Sequence, residues 1–380
     1  MTVPADRSPG EPVTMTVSTR DIGALAAAVR AWLAQRLDLE EPPVISGVRV
    51  PESGGLSSTS LLFEADWQSG GTARRGAFVA RMAPEPSAVP VFPRYDLPGQ
   101  FELIERVSAC CDIPVPALRW NQPDGGPLGT AFFVMDQVPG RVPLDNPPYV
   151  FGGWLLDAEP HERDLLEHGS IKILADLHAI ADPASAFPSL RPPDGTDSLR
   201  WHVDQQYHYY EWALSGDGFR IPIIERSLAW LEQHWPADRG PDVLCWGDAR
   251  IGNIIFAGFT PVAVLDWEMA AIGPRELDVS WFIFLHRFFQ DIAEVFELPG
   301  LPDFLRRSQV ERRYRELSGH DLRDMDFYLV YAALRHAIVM ARIRRRMIHF
   351  GEEQVPDDPD DYVMHRASLE KLLAGTYRWD

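Results

Sequence analysis

The sequence of 380 residues predicts an α+β fold in which a small antiparallel-sheet lobe precedes a larger, mainly helical lobe. Three observations carry this prediction. Short apolar runs broken by Gly-Gly and Ser-Gly-Gly fill the first third, helical periodicity takes over beyond Gly140, and a single hairpin pattern interrupts the helical part near its centre. A chain of this length that is 46% hydrophobic also divides into two lobes more readily than it forms one.

Residues 1–17, rich in Pro, Ser and charge, read as a disordered tail. The N-terminal lobe is expected over 18–138 and the C-terminal lobe over 139–380. "STRDIGALAAAVRAWLAQRL" begins with the cap candidates Ser18 and Thr19 and continues with apolar residues at helical spacing. "VISGVRV", "TSLLFEADW" and "AFVARMA" read as antiparallel strands, "PEPSAVPVFPRYDLP" as a proline-rich loop and "GQFELIERVSACC" as a helix. "IPVPAL" enters a strand, and "AFFVMDQVPG" is a strand that stops at Pro139 and Gly140. In the second lobe, "ERDLLEHGSIKILADLHAI" is helical, and so is a segment that places Phe327, Val330, Tyr331, Leu334, Ile338 and Ala341 on one face. The hairpin pairs "NIIF" with "VAVLDW" around "AGFTP". There is no internal repeat.

A formal charge of -19 argues against a nucleic-acid partner, because affinity for a polyphosphate backbone comes from clustered Lys and Arg. No apolar stretch reaches the length of a membrane helix and the N-terminus lacks a signal-peptide pattern, so a cytoplasmic protein without a membrane partner is expected. Three cysteines, with Cys110 and Cys111 adjacent, make neither a disulfide framework nor a zinc site and are expected to be buried thiols. The basic run Arg342 to Arg346 reads as a solvated helix end. His178 and His286 read as core or interface histidines.

The chemistry-bearing segment is "WGDARIGNIIF", with "LDWE" after it. Taken singly, its Gly-Asp, Gly-Asn and strand-end Asp are ordinary turn residues. Taken together, they match what phosphoryl transfer to a hydroxyl requires: a carboxylate to accept the proton and oxygen ligands for Mg²⁺. Asp248 and Asn253 have the spacing D-x-x-x-x-N, and Asp266 lies across the hairpin, where folding back would let it share metal ions with Asn253.

"WGDARIGNIIF" with "VAVLDWEMAAIGPRELDVSW" resembles the signature of the aminoglycoside phosphotransferase and choline kinase family, and within it the branch attached to acyl-CoA dehydrogenases. The resemblance covers nearly the whole chain after the tail and implies a bilobal, protein-kinase-like fold. It implies Asp248 as catalytic base, Asn253 and Asp266 as Mg²⁺ ligands, and Asp278 as a buried anchor for the catalytic loop. Glu268 is either an acid supporting the metal or acceptor side, or a solvated loop acid. "SGGLSSTS" sits between two strands like a phosphate-covering loop, with Ser57, Ser58 and Thr59 as hydroxyl donors, although a plain hairpin turn would look the same. The only lysines are Lys172 and Lys371, so Arg81 in "FVARMA" is the candidate to hold the nucleotide phosphates, paired with Glu102 or, one turn later, Glu105. "VMDQVPG", with Met135, Gln137 and Val138, resembles the hinge strand that receives the nucleotide base.

One departure stands out. The family pattern begins His-Gly-Asp, and here Trp246 replaces the histidine. An indole has one N–H donor and no ring acceptor, so the loop must be held in another way. The resemblance implies a small-molecule kinase that moves the γ-phosphate of ATP or GTP to a substrate hydroxyl with Mg²⁺. The alternative is a nucleotide-binding pseudokinase or regulatory module. For the acceptor, Asp204, Tyr207, Tyr210 and Trp212 either line a pocket or pack helices together, and both an aminoglycoside and a hydroxyacyl thioester stay open.

Overall fold

The computed structural model describes residues 20–51, 58–214 and 219–379. The expected tail lies outside the described residues. The chain divides into two compact units, one running through Val107 and resuming at Val115–Pro139, the other formed by Ser108–Pro114 and everything from Gly140. Ser108–Pro114, expected in the N-terminal lobe, groups with the larger unit, where the Val264 N–H donates to the Pro114 carbonyl at 2.8 Å.

The small unit contains α1 (Ile22–Arg36), β1 (Val44–Arg49), β2 (Thr59–Ser69), β3 (Thr72–Met82), α2 (Leu97–Cys110), β4 (Leu118–Gln122) and β5 (Phe132–Asp136). The strands form one antiparallel sheet in the order β1-β2-β3-β5-β4. Asp21 caps α1, its side chain accepting from the Ala24 N–H at 2.7 Å. Strand alternation sends Leu61, Phe63, Ala65, Phe78, Ala80 and Met82 to one sheet face, where they pack with Val29, Trp32 and Leu33 of α1. Arg81 therefore points to the opposite face. Phe133, its register partner on β5, packs there edge-on against Phe101 of α2, at 6.0 Å between ring centroids.

The large unit continues with α3 (Pro160–His178), the single turn α4 (Pro183–Ala186), α5 (Ser198–Ala213) and α6 (Pro222–Gln233). Two short antiparallel ribbons follow: β6 (Asp242–Cys245) pairs with β9 (Ala271–Pro274), and β7 (Ile254–Ala257) with β8 (Thr260–Val264). Then come α7 (Glu276–Val295), α8 (Arg307–Ser318), α9 (Met325–His349) and α10 (Arg366–Leu373). The central helices α7 and α9 are buried on most sides, with Phe282, Ile283, Leu329, Ala333 and Ala337 at 2% exposure or less. Among the described residues no helix is long and apolar enough to cross a membrane.

Two expectations are corrected here. Arg342 to Arg346 are not a solvated helix end: Arg346 is buried, and the guanidinium groups of Arg342 and Arg345 lie over the Trp212 and Phe219 rings at 4.5 and 5.7 Å. Arginine stems cover apolar rings while the charge stays attracted to the ring face. Of the cysteines only Cys245 is buried; Cys110 is exposed and Cys111 half-buried, because both follow Val107, the last buried position of α2.

Candidate active site

β6 ends at Cys245 and runs directly into Trp246, Gly247 and Asp248. Gly247 has φ +91°, and a Cβ there would lie 1.9 Å from the Met269 carbonyl oxygen, so only glycine fits this turn. The turn is fixed from α7. Asp278, fully buried in the first helical turn, accepts the Trp246 N–H at 2.6 Å and the Gly247 N–H at 2.8 Å. His178 Nε2 lies 3.1 Å from the same carboxylate, and its Nδ1 lies 2.8 Å from the Tyr314 hydroxyl, so the anchor is itself held by α3 and α8.

Asp248 is set by three neighbours. Its Oδ1 accepts the Trp281 indole N–H at 2.7 Å, its Oδ2 accepts the Asn253 amide at 2.7 Å, and Arg250 Nε lies 3.1 Å from Oδ2. Burial alone would raise this carboxyl, but the Arg250 charge and the hydrogen bonds from Trp281, Arg250 and Asn253 outweigh it and hold it below the usual carboxylate range. Asp248 is thus an oriented anion at neutral pH. Arg250 also pairs with Asp145, and the two carboxylates keep its guanidinium charged despite burial.

Asn253 closes the short turn 251–253, and the β7–β8 hairpin folds back so that the Leu265 N–H donates to the Asn253 carbonyl at 2.9 Å. This places Asp266, just past β8, beside the turn that carries Asn253. Asp266 has φ +60°, a left-handed conformation that costs a non-glycine residue of order 1–3 kcal/mol and persists only where the surroundings impose it. Trp246 supplies part of that constraint. Its indole N–H donates to the carbonyls of Leu265 at 2.8 Å and Asp266 at 3.2 Å, so the residue in the histidine position ties the Asp248 turn to the Asp266 turn. The Asn253 amide nitrogen is committed to Asp248; its Oδ1 and the Asp266 carboxylate are hard oxygen donors of the kind that suit Mg²⁺. Glu268 is half-buried two residues on.

In the small unit, Arg81 is buried with Nη1 3.5 Å from Ser60 Oγ. The expected Arg81–Glu102 pair does not form: Glu102 is exposed and makes no ion pair among the described residues. Helix α2 buries Gln100, Leu103, Ile104 and Val107, and Glu102 lies off that face. Ser58 Oγ and Thr59 Oγ1 are buried without a hydrogen-bond partner among the described residues, and Ser57 lies outside them. Met135 pairs in register with Val79, the Gln137 N–H donates to the Ala77 carbonyl at 2.9 Å, and Val138 is half-buried at the start of the exit segment.

Sequence reasoning missed Arg250 and Trp281, which contact Asp248, and Arg335, which holds the Gly247 carbonyl beside it; His178, read as a core or interface histidine, is buried and lies against the Asp278 anchor. Arg250 stands inside the motif, two positions after the aspartate. The others lie on helices far along the chain, where spacing gives no signal. Of the acceptor candidates, Tyr210 is fully buried and its hydroxyl accepts the Ile221 N–H at 3.0 Å, which is a packing role; Tyr207 is exposed; Asp204 is half-buried; and Trp212 stacks on Tyr209.

The sequence profile of the phosphotransferase enzyme family matches residues 66–317, well over half of the chain. The chain belongs to that family. It is similar to a probable acyl-CoA dehydrogenase, IBR3, of Arabidopsis thaliana, at 24% identity over 66% of this chain and 31% of that one. Acyl-CoA dehydrogenase family member 11 of Gallus gallus is 28% identical over 64% of this chain and 28% of its own length. This phosphotransferase-family chain therefore spans under a third of those relatives. Among solved structures, a candidate aminoglycoside phosphotransferase of Ralstonia eutropha has a TM-score of 0.62 at 18% identity, covering 92% of this chain and 97% of that one. Aminoglycoside phosphotransferase APH(4)-Ia, in a ternary complex with AMP-PNP and hygromycin B, has a TM-score of 0.55 at 15% identity, covering 92% and 98%. The fold is the kinase-like α+β fold of these phosphotransferases.

Proposed function

We propose that the protein is a small-molecule kinase that transfers the γ-phosphate of ATP or GTP to a substrate hydroxyl. One observation carries the reading: a half-buried, oriented carboxylate, Asp248, is hydrogen-bonded to Asn253, whose turn is tied through Leu265 and Trp246 to Asp266. That is the donor set phosphoryl transfer needs, a proton acceptor beside oxygen ligands. The family membership supports it, and so does the complex of APH(4)-Ia with AMP-PNP and hygromycin B.

In this reading Asp248 accepts the acceptor hydroxyl proton at its carboxylate, while Trp281 and Asn253 keep the carboxylate oriented. Asn253 and Asp266 hold Mg²⁺, which when bound neutralises charge on the phosphates. Asp278 and Trp246 keep the two turns in register. Arg81, with Ser58 and Thr59, contributes donors to phosphate binding from the small unit, and Met135, Gln137 and Val138 receive the nucleotide base. Glu268 assists on the metal or acceptor side in this reading. The pseudokinase alternative is motivated by Trp246 and by the absence of a lysine from the small lobe; the two carbonyls held by the Trp246 indole weaken the first of these. Asp248→Asn tests the reading: phosphoryl transfer is expected to vanish with nucleotide binding intact, and unchanged turnover would remove Asp248 from the base role.

A further inference from the structure

Arg335, on α9, is among the largest fully buried side chains of the protein, 1% exposed. Its Nη2 donates to the Gly247 carbonyl at 3.1 Å, its Nε has no hydrogen-bond partner, and no carboxylate pairs with it among the described residues. Its guanidinium carbon lies 4.5 Å from the centre of the Trp281 ring and 5.9 Å from that of Tyr331. One hydrogen bond and the ring contacts return less than burying a guanidinium costs, so a position that only needed filling would be better served by an apolar chain.

What Arg335 touches gives the reason for the charge. Gly247 immediately precedes Asp248 and sits in a conformation only glycine tolerates. Its N–H is held by buried Asp278 and its C=O by buried Arg335, so oppositely charged side chains grip both polar groups of this one residue. The ring beneath the guanidinium, Trp281, is the one whose N–H donates to Asp248 Oδ1 at 2.7 Å. We infer that Arg335 is a positioning residue for phosphoryl transfer: it fixes the Gly247–Asp248 peptide and the Trp281 indole, and through them the direction of the Asp248 carboxylate. This inference rests on the reading of Asp248 as the base.

The test uses the full chain with Mg²⁺ and ATP, water serving as the phosphoryl acceptor, and compares Arg335→Met and Arg335→Lys with wild type. Arg335→Met is expected to bind MgATP within about twofold of wild type, keep its KM, and lose about 10- to 100-fold in the kcat of γ-phosphate release, the scale of a displacement of about 1 Å. Arg335→Lys, which keeps the charge without the planar fork, is expected to recover part of that loss. The Trp281 indole N–H resonance, assigned with Trp281→Phe, is expected to move in Arg335→Met as its bond to Asp248 loosens. A folded Arg335→Met with wild-type kcat and an unmoved Trp281 resonance overturns the inference. If wild type neither binds nor hydrolyses ATP, or GTP used in its place, the kinase reading fails and the Trp281 resonance alone decides the role of Arg335. If Arg335→Met does not fold, Arg335→Lys is judged by the same two readouts, and wild-type values of both overturn the inference.

Discussion

Asp278→Ala is the most informative single change to the large unit. The carboxylate accepts the Trp246 N–H at 2.6 Å and the Gly247 N–H at 2.8 Å and faces His178, all in a fully buried site. Alanine leaves two backbone donors without an acceptor, at about 1–3 kcal/mol each, and breaking a buried charged contact costs about 3–5 kcal/mol in total. A loss of about 3–5 kcal/mol corresponds to roughly 6–20 °C in Tm for a unit of this size. Asp278→Asn keeps one carbonyl oxygen, can satisfy one of the two N–H groups, and is expected to lose about 1–3 kcal/mol. Urea unfolding followed by tryptophan fluorescence, with a thermal scan alongside, measures both variants. Asp278→Ala within about 1 kcal/mol of wild type would refute the anchor, because the two N–H groups would then have found other partners.

Trp246→Phe keeps most of the ring and removes the donor that holds the Leu265 and Asp266 carbonyls, so a stability loss of about 1–2 kcal/mol is expected in the same assay. Trp246→His is expected to change turnover by less than about tenfold, since the indole already ties the turns; a gain approaching a hundredfold would show that wild type is misaligned there. Acid should destabilise the fold through its buried histidines. Burial lowers His286 and His365 to about 4, so the unfolded chain protonates first as pH falls below 6.5, and each costs about 1.4 kcal/mol per pH unit down to about 4. Glu167 and Glu276, raised by burial, act with the opposite sign near the bottom of that range. His365→Gln should reduce the pH slope of unfolding free energy between pH 6 and pH 4 by about one proton, and an unchanged slope would contradict the burial account.

Local pattern made the β7–β8 hairpin, the Asp248 and Asn253 spacing and the α+β order legible, because strand alternation, turn residues and helical periodicity are short-range properties. Residues whose position depends on packing were not. Arg335 reaches Gly247 across 88 residues, His178 reaches Asp278 across 100, and Trp281 reaches Asp248 across 33. Nothing in sequence spacing encodes those contacts. Glu102 failed for a related reason: which face of α2 turns inward follows from Leu103, Ile104 and Val107, whereas the expectation rested on an analogy for Arg81. The arginines at the end of α9 were read as solvent-facing because the rings they cover come from α5 and from the segment just before α6.

The most direct test of the central claim is calorimetric titration of the full chain with ATP and with GTP, each with and without Mg²⁺, repeated on Asp266→Ala. The account predicts binding of at least one nucleotide that strengthens with Mg²⁺ in wild type and loses that Mg²⁺ dependence in the variant. Failure to bind either nucleotide, or an Asp266→Ala protein that responds to Mg²⁺ as wild type does, would contradict it.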